Sequence, residues 1–340
     1  MIRFAIPSKG SLYDSALLFL EGCGLKVSRP NPRQYTAHIR SLPETEILLH
    51  RPSDIVQKVV AGDIDLGITG LDLVREFAGD EPNLIVADAN LGFGRTDLVM
   101  AVPEAWVDVH TWSDVADLAA EFAAAGRQLR IATKYPNLVR DFCYHGGVNV
   151  FTLIDSQGAT EAAPVLGYAD LIADITETGT TLRENRLKIV AGTTILRSQA
   201  CLVVGRRALR QDPRKLAVVQ TVLELIEARR RARGFAQLIA NVPGVSAEAV
   251  AARVVESPDL GGLQGPTVAP VYPSAAASTE QWFAVSLIVA ADRVLPAVEH
   301  LRGLGSTGVV VLPVQYAFGE HSEAFRRLRE ALSSRDEGRA

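Results

Sequence analysis

Short apolar runs that stop at Pro, Gly or Thr alternate along most of this chain with amphipathic stretches, and that alternation calls for a parallel sheet covered by helices. Ile2, Phe4 and Ile6 alternate with Arg3 and Ala5 before Pro7 closes the first strand. Ser11 and Asp14 have the S-x-x-D spacing of a capping box, and Leu12, Ala16, Phe19 and Leu20 follow at helical intervals up to Gly22 and Gly24. A second helix is expected from Pro52 and Ser53, with Ile55, Val59 and Val60 turned inward and Gly62 as its stop. A strand over Asp65–Thr69 follows at once.

An internal echo narrows the architecture. DIVQKVVAGDIDLGITG (Asp54–Gly70) and TEAAPVLGYADLIADITETG (Thr160–Gly179) each read as a helix, a glycine (Gly62, Gly167), an aspartate three residues later (Asp65, Asp170), an apolar strand and a Thr-Gly loop. Two similar α/β lobes with a ligand cleft between them explain the echo. The plainer reading is that helix–Gly–strand joints recur in any α/β chain.

After Arg197 the texture changes. A long helix is expected over Asp212–Ala232, carrying Leu216, Val219, Val222, Leu223 and Ile226; its basic end (Arg229, Arg230, Arg231, Arg233) suits a solvated C-terminus. Then come a strand (Gln237–Val242), a helix (Ala247–Val255), two strands (Thr267–Tyr272, Trp282–Ala290), a helix (Arg293–Leu304) and a strand (Gly308–Gln315). That order, β-α-β-β-α-β, is ferredoxin-like. Pro258–Pro266 and Pro273–Thr279 read as loops within it, and the charged tail after Gly319 as a helix over Glu323–Leu332 with a disordered end.

Composition removes several classes of function. Thirty-five basic against 39 acidic residues leave a net charge of −4, which argues against a general nucleic-acid binder. Cys23, Cys143 and Cys201 form no CxxC, as in a reducing compartment, and no histidine spacing suggests a metal site. No apolar run reaches the roughly 18–20 residues of a membrane span, and MIRFAIPSKG enters a strand without a leader, so a cytoplasmic protein with no membrane partner is expected.

The strongest local signal is ADLIADITETGTTLREN. A buried strand (Leu171, Ile172, Ala173) ends at Asp174-Ile175 and runs into Thr176-Glu177-Thr178-Gly179-Thr180-Thr181, with a helix expected from Leu182. Hydroxyls and a glycine between a strand and a helix N-terminus suit a phosphate: amides face the anion and Gly179 allows close approach. Asp174, at the strand's carboxyl end, is placed to take ribose hydroxyls or a magnesium ion. The pattern is not G-x-x-x-x-G-K-[ST], which excludes a P-loop. An ordinary Thr-rich turn is the competing reading.

The same stretch, Glu161-x5-Gly167-x-Ala169-x2-Ile172-x-Asp174-Ile175-x2-Thr178-Gly179-x-Thr181-Leu182, resembles position for position the signature of the ATP phosphoribosyltransferases. PSKG (Pro7–Gly10), RPSDI (Arg51–Ile55), GITGLDLV (Gly67–Val74), LGFGR (Leu91–Arg95), KYPNLVR (Lys134–Arg140) and GPTVAPV (Gly265–Val271) extend the likeness to about residue 320. The resemblance implies a pentosyltransferase that joins N1 of ATP to C1 of phosphoribosyl pyrophosphate. Pyrophosphate is released with Mg2+ present, in the first step of histidine biosynthesis. It further implies two periplasmic-binding-protein-like (type II) α/β lobes, residues 1–95 with about 190–235 and residues 96–189. A ferredoxin-like regulatory domain over 236–320 would mark the long form, before a tail at 321–340. Inhibition by histidine and a homo-oligomer, dimer or hexamer, belong to the same expectation.

Carried onto this chain, the resemblance gives Asp174, Ile175, Thr176, Glu177, Thr178, Gly179, Thr180 and Thr181 to the phosphoribosyl group. Lys9 and Arg51 join Asp174 as catalytic residues that supply charge at pyrophosphate or triphosphate. Asp72, Arg95, Tyr135 and Glu161 fall on the ATP side, and magnesium would meet Asp174 through the substrate. The plainer readings make Lys9 and Arg51 loop charges, Tyr135 a packing residue before Pro136, and Asp72 a helix cap. Glu177 puts a negative charge inside the proposed phosphate loop. ANVPGVSAEAV matches the family only loosely, so no histidine-binding residue is carried over. A two-lobed binding or sensor protein without catalysis and a prephenate dehydratase-like enzyme share the architecture and stand as alternatives.

Overall fold

The computed structural model describes residues 1–31, 33–156, 158–257, 265–272 and 281–334. Two compact units divide the chain: Met1–Val219, to which the chain returns from Arg327, and Gln220–Arg326. The first unit begins β1 (Ile2–Pro7), α1 (Ser11–Gly22), β2 (Val27–Ser28), β3 (Thr36–Ile39), β4 (Thr45–His50), α2 (Pro52–Ala61), β5 (Leu66–Gly70), α3 (Leu71–Phe77) and β6 (Leu84–Asp88). It continues with β7 (Thr96–Pro103), α4 (Trp112–Ala124), β8 (Leu129–Thr133), α5 (Pro136–His145), β9 (Phe151–Asp155), β10 (Leu171–Thr176), α6 (Thr180–Glu184) and β11 (Leu187–Ser198). β12 (Ala200–Gly205) and α7 (Arg206–Gln211) complete it, and α8 (Pro213–Ala232) leads into the second unit.

Two sheets form the first unit, ordered β2-β3-β4-β1-β5-β12-β6 and β11-β7-β10-β8-β9. Both follow one plan. β4, β1 and β5 run parallel and are followed by an antiparallel β12; β9, β8 and β10 run parallel and are followed by an antiparallel β7. The second sheet is built from one continuous stretch, β7 through β11, whereas the first is completed by β12, which returns to it after that stretch. β1 is central: Ile2, Phe4, Ala5 and Ile6 are all at most 1% exposed, buried on both faces as a parallel sheet between helices requires.

The echo survives as a set of contacts. Asp65 N donates to Arg3 O at 3.0 Å while Arg3 N donates to Asp65 Oδ2 at 2.8 Å, and Arg3 Nη2 reaches Gly62 O at 2.9 Å. Asp170 N donates to Arg130 O at 2.9 Å while Arg130 N donates to Asp170 Oδ2 at 2.8 Å, and Arg130 Nη1 reaches Gly167 O at 2.9 Å. Gly62 and Gly167 both take positive φ, 86° and 78°. One arginine–aspartate joint thus starts the equivalent strand in each lobe.

Four expectations change. Gly10, not Ser11, caps α1, and no side-chain capping bond forms there because Ser11 already lies inside the helix. The second copy of the echo begins with a single 3-10 turn, Thr160–Ala162, instead of a helix; Pro164 lacks the N–H that would bond back to Thr160. β11 stays in the second sheet through Ser198, paired with β7, so the chain returns to the first lobe at Gln199, later than residue 190. In α2 the buried face is Ile55, Val56 and Val59, with Val60 half-buried.

The second unit contains β13 (Phe235–Pro243), α9 (Ala247–Val255), β14 (Thr267–Val271), β15 (Trp282–Ala290), α10 (Val294–Gly303) and β16 (Val309–Pro313). Its antiparallel sheet, β14-β15-β13-β16, has the expected ferredoxin-like order. Leu238, Val242, Val250, Val254, Val285, Leu287, Ala297 and Leu301 form its core. The tail helix is α11 (Glu323–Ser333), whose last carbonyls accept bonds from Arg206 and Arg210. Most of the loop expected over 258–266, all of that over 273–279 and the last six residues of the tail lie outside the described residues. Among the described residues no helix is long and apolar enough to cross a membrane.

Candidate active site

The carboxyl ends of parallel strands open a crevice where an α/β sheet binds its ligand. In the first lobe Pro7 of β1 pairs with His50 of β4, so Lys9 and Arg51 leave neighbouring strands at the same edge, both exposed. Asp72 follows β5 beside them. In the second lobe β8 is followed by Lys134 and Tyr135, and its parallel neighbour β10 ends in Asp174, Ile175 and Thr176. Tyr135 Oη donates to Asp72 Oδ2 at 2.7 Å, which brings the carboxyl ends of the two sheets together.

Asp174 is a perturbed acid of the crevice. Its side chain is 12% exposed, and Lys134 Nζ lies 3.9 Å from Oδ2. Burial raises its carboxyl above the ordinary range; Lys134, the Ile175 N–H and the Thr160 hydroxyl pull the other way, and nearby Glu161 adds to the rise. Ile175 N donates to Asp174 Oδ1 at 2.9 Å. A carboxylate held at this cost, at a strand end and opposite a lysine, is a functional-site signature.

The loop after Asp174 is compact. Gly179 N donates to Thr176 Oγ1 at 2.8 Å, the Thr178 and Thr180 hydroxyls share a bond of 2.8 Å, and Arg183 Nη2 donates to Thr180 Oγ1 at 3.2 Å. Gly179 sits at φ 73°, a left-handed conformation that a side chain would strain. α6 begins at Thr180, two residues before the expected Leu182, and spans five residues. So short a helix has little dipole, which leaves the loop's own amides and hydroxyls as the groups able to meet an anion. Glu177, Thr178, Thr180 and Thr181 are exposed.

Four residues expected on the ATP side have separate fates. Asp72, 6% exposed, also accepts from Ser198 Oγ at 2.7 Å, and its own N–H donates to that oxygen at 2.9 Å. Tyr135, 3% exposed, packs in the core of the second lobe; burial and then Asp72 push its phenol far above its usual value. Asp72 and Tyr135 therefore satisfy one another, and the packing reading describes Tyr135. Arg95 is exposed on the crossover from β6 to β7, where Ala200 N donates to Phe93 O at 3.0 Å. Glu161 lies in the 3-10 turn, half-buried near Asp174. Lys134 and Thr160 are the residues that sequence reasoning missed. Lys134 opened a quoted family segment, but nothing local ties it or Thr160 to a carboxylate 40 or 14 positions on.

Family models match along the chain: ATP phosphoribosyltransferase over residues 51–228, and the C-terminal domain of that family over 232–316. The chain belongs to the ATP phosphoribosyltransferase family. Its second match covers the β-α-β-β-α-β segment, which places it with the long form. It is 40% identical over 334 residues to ATP phosphoribosyltransferase 2, chloroplastic, of Arabidopsis thaliana, covering 97% of this chain and 80% of that protein. The ATP phosphoribosyltransferase of Brucella melitensis is 47% identical over 210 residues, 61% of this chain and 91% of that one. Among solved structures, the ATP phosphoribosyl transferase (HisG:HisZ) complex from Thermotoga maritima superposes with a TM-score of 0.52 at 27% identity, covering 67% of this chain and 98% of that chain. Family membership sets aside the prephenate dehydratase-like reading.

Proposed function

We propose that this chain joins N1 of ATP to C1 of phosphoribosyl pyrophosphate, giving N1-(5-phosphoribosyl)-ATP and pyrophosphate. The observation that carries the reading is Asp174, buried at the end of β10, faced by Lys134 and followed directly by the Thr-Gly-Thr-Thr loop. Adenine N1 is a poor nucleophile, so the transition state gathers positive charge on the ribose as pyrophosphate departs. Asp174 accepts the ribose hydroxyls and opposes that charge. The amides and hydroxyls of Thr176–Thr181 hold the 5-phosphate, with Ile175 against the sugar and the exposed Glu177 turned to solvent. Lys9 and Arg51, at one edge of the first sheet, neutralise the departing pyrophosphate or the triphosphate. Arg95 and Glu161 remain on the ATP side, while Asp72 and Tyr135 serve it through the bond between them.

Magnesium fits this site as an ion carried by substrate. Among the described residues no three His, Cys, Asp or Glu side chains are grouped to hold a metal, and one carboxylate plus phosphate oxygens is a common magnesium ligand set. Asp174 would be that carboxylate, and the ion when bound would supply charge neutralisation on pyrophosphate. Histidine inhibition through the ferredoxin-like domain and a dimer or hexamer complete the proposal. So does a reducing, cytoplasmic setting, supported by three buried thiols. The test is pyrophosphate release from ATP and phosphoribosyl pyrophosphate with Mg2+, suppressed by millimolar L-histidine. A folded, magnesium-loaded protein that does not turn over refutes it.

A further inference from the structure

Helix α5 is capped from the other lobe. Its first residue, Pro136, has no N–H, so Asn137 and Leu138 carry the donors that its first turn leaves unpaired. Tyr135, at the cap position, makes no side-chain capping bond. Glu76, on α3 of the first lobe and 3% exposed, does so instead: Oε1 accepts from Asn137 N at 2.9 Å and Oε2 from Leu138 N at 3.0 Å. Asn137 Nδ2 returns a bond to Glu76 O at 3.1 Å. α4, in the same lobe as α5, has a local box, with Thr111 Oγ1 accepting from Asp114 N and the Asp114 side chain accepting from Thr111 N. A helix needing only a cap could be served the same way by a Ser or Thr at position 135.

The arrangement instead ties the loop before α5 to α3 at two points. Asp72 and Glu76 are four residues apart on α3 and share a face. Asp72 takes the Tyr135 hydroxyl, and Glu76 takes the two amides that follow. Lys134 is the residue immediately before this clamped segment, and it reaches Asp174 in the second lobe. Burial raises the Glu76 carboxyl, so a charge there is costly to keep; the two amides and Arg140 of α5 offset that cost, and Asp141 adds to it.

We propose that Glu76 is a positioning residue: by capping α5 from the opposite lobe it fixes how Lys134 meets Asp174, and so sets affinity for the phosphoribosyl donor. The inference rests on the functional reading above. Its effect runs through Lys134, so it acts more strongly on the phosphoribosyl side than on the ATP side, whose Tyr135–Asp72 bond does not involve the Glu76 carboxylate.

The test uses Glu76→Gln in the full chain, with Lys134→Met alone and combined. In the free protein the amides of Asn137 and Leu138 exchange at least about tenfold faster in Glu76→Gln, as loss of a charge-assisted bond implies, while Asp114 N in α4 is unchanged. The KM for phosphoribosyl pyrophosphate rises about tenfold, the KM for ATP stays within about threefold, and adding Glu76→Gln to Lys134→Met raises the first KM no further. Unchanged exchange overturns the proposal. So do faster exchange with unchanged KM, which makes Glu76 a cap and nothing more, equal changes in both KM values, and additive effects of the two substitutions. Should Glu76→Gln not fold, Glu76→Asp, which withdraws the charge by one methylene, is judged by the same readouts. A wild type that neither binds nor turns over the donor refutes the functional reading itself, whereas an active wild type with an indifferent variant refutes the role of Glu76 alone.

Discussion

Replacing Asp174 by Asn separates what the carboxylate does from what it costs. Burial raises this carboxyl above its ordinary value, so the native state holds the proton more tightly than the unfolded chain does. The group's contribution to stability is then fully present below the unfolded carboxylate value, about 3.9, and is lost as pH rises through the higher folded value. Asn has no proton to lose, so the stability of the variant relative to the wild type increases with pH across that window. The contacts forfeited are small. Lys134, 37% exposed and 3.9 Å away, contributes at most about 1 kcal/mol, and the Ile175 amide keeps an oxygen to bond. The melting temperature near pH 7.5 should therefore move by no more than about 2–4 °C. Activity should behave otherwise: two ribose hydroxyls on a carboxylate are worth about 1.5–3 kcal/mol each, so kcat/KM falls about 10²–10⁴-fold. Pyrophosphate release and thermal melts from pH 4 to 8 measure both. A variant that melts more than about 10 °C lower, a stability difference that ignores pH, or unimpaired turnover would each refute the reasoning.

Asp170→Asn should behave in the opposite sense. Burial works against the Asp170 charge, but its bonds to Arg130 outweigh burial and hold the carboxyl below the usual range. Its stabilisation is present above the unfolded value and lost as pH falls, so the variant should lose about 2–3 kcal/mol at neutral pH and show a flatter acid limb in urea titrations. Gly179→Ala forces a side chain into φ 73°; about 1–2 kcal/mol of strain and a raised KM for the phosphoribosyl donor are expected, with the KM for ATP as the control. Tyr135→Phe leaves buried Asp72 without one donor, which should cost about 1–3 kcal/mol in denaturant unfolding. A large rise in the KM for ATP in that variant would point to direct contact with the nucleotide.

Much of this molecule follows from local rules. Pro52 and Gly62 bound α2, the run from Leu171 to Ala173 is a buried strand, and Gly179 is the only residue of its loop that takes a left-handed turn without strain. Even the Gly-x-x-Asp echo is a local pattern, because the glycine and aspartate that define it lie three residues apart. What their neighbours do is not local. No pattern near Asp65 or Asp170 announces that each will be met by an arginine of a parallel strand, 62 and 40 residues away. Asp72 and Tyr135 look like nucleotide-facing polar groups in the sequence, and only the meeting of two sheets turns them toward one another. Lys134 stands in the sequence only as the head of a family segment, and Glu76 carries no signal until α3 and α5 touch. The amino-acid order determined most of the strands and helices, the Thr-Gly loop after β10 and the family. The assembly of sheets alone decided which polar groups are spent inside the crevice and which stay open to a ligand, since hydrogen bonding across such separations depends on packing and not on spacing along the chain.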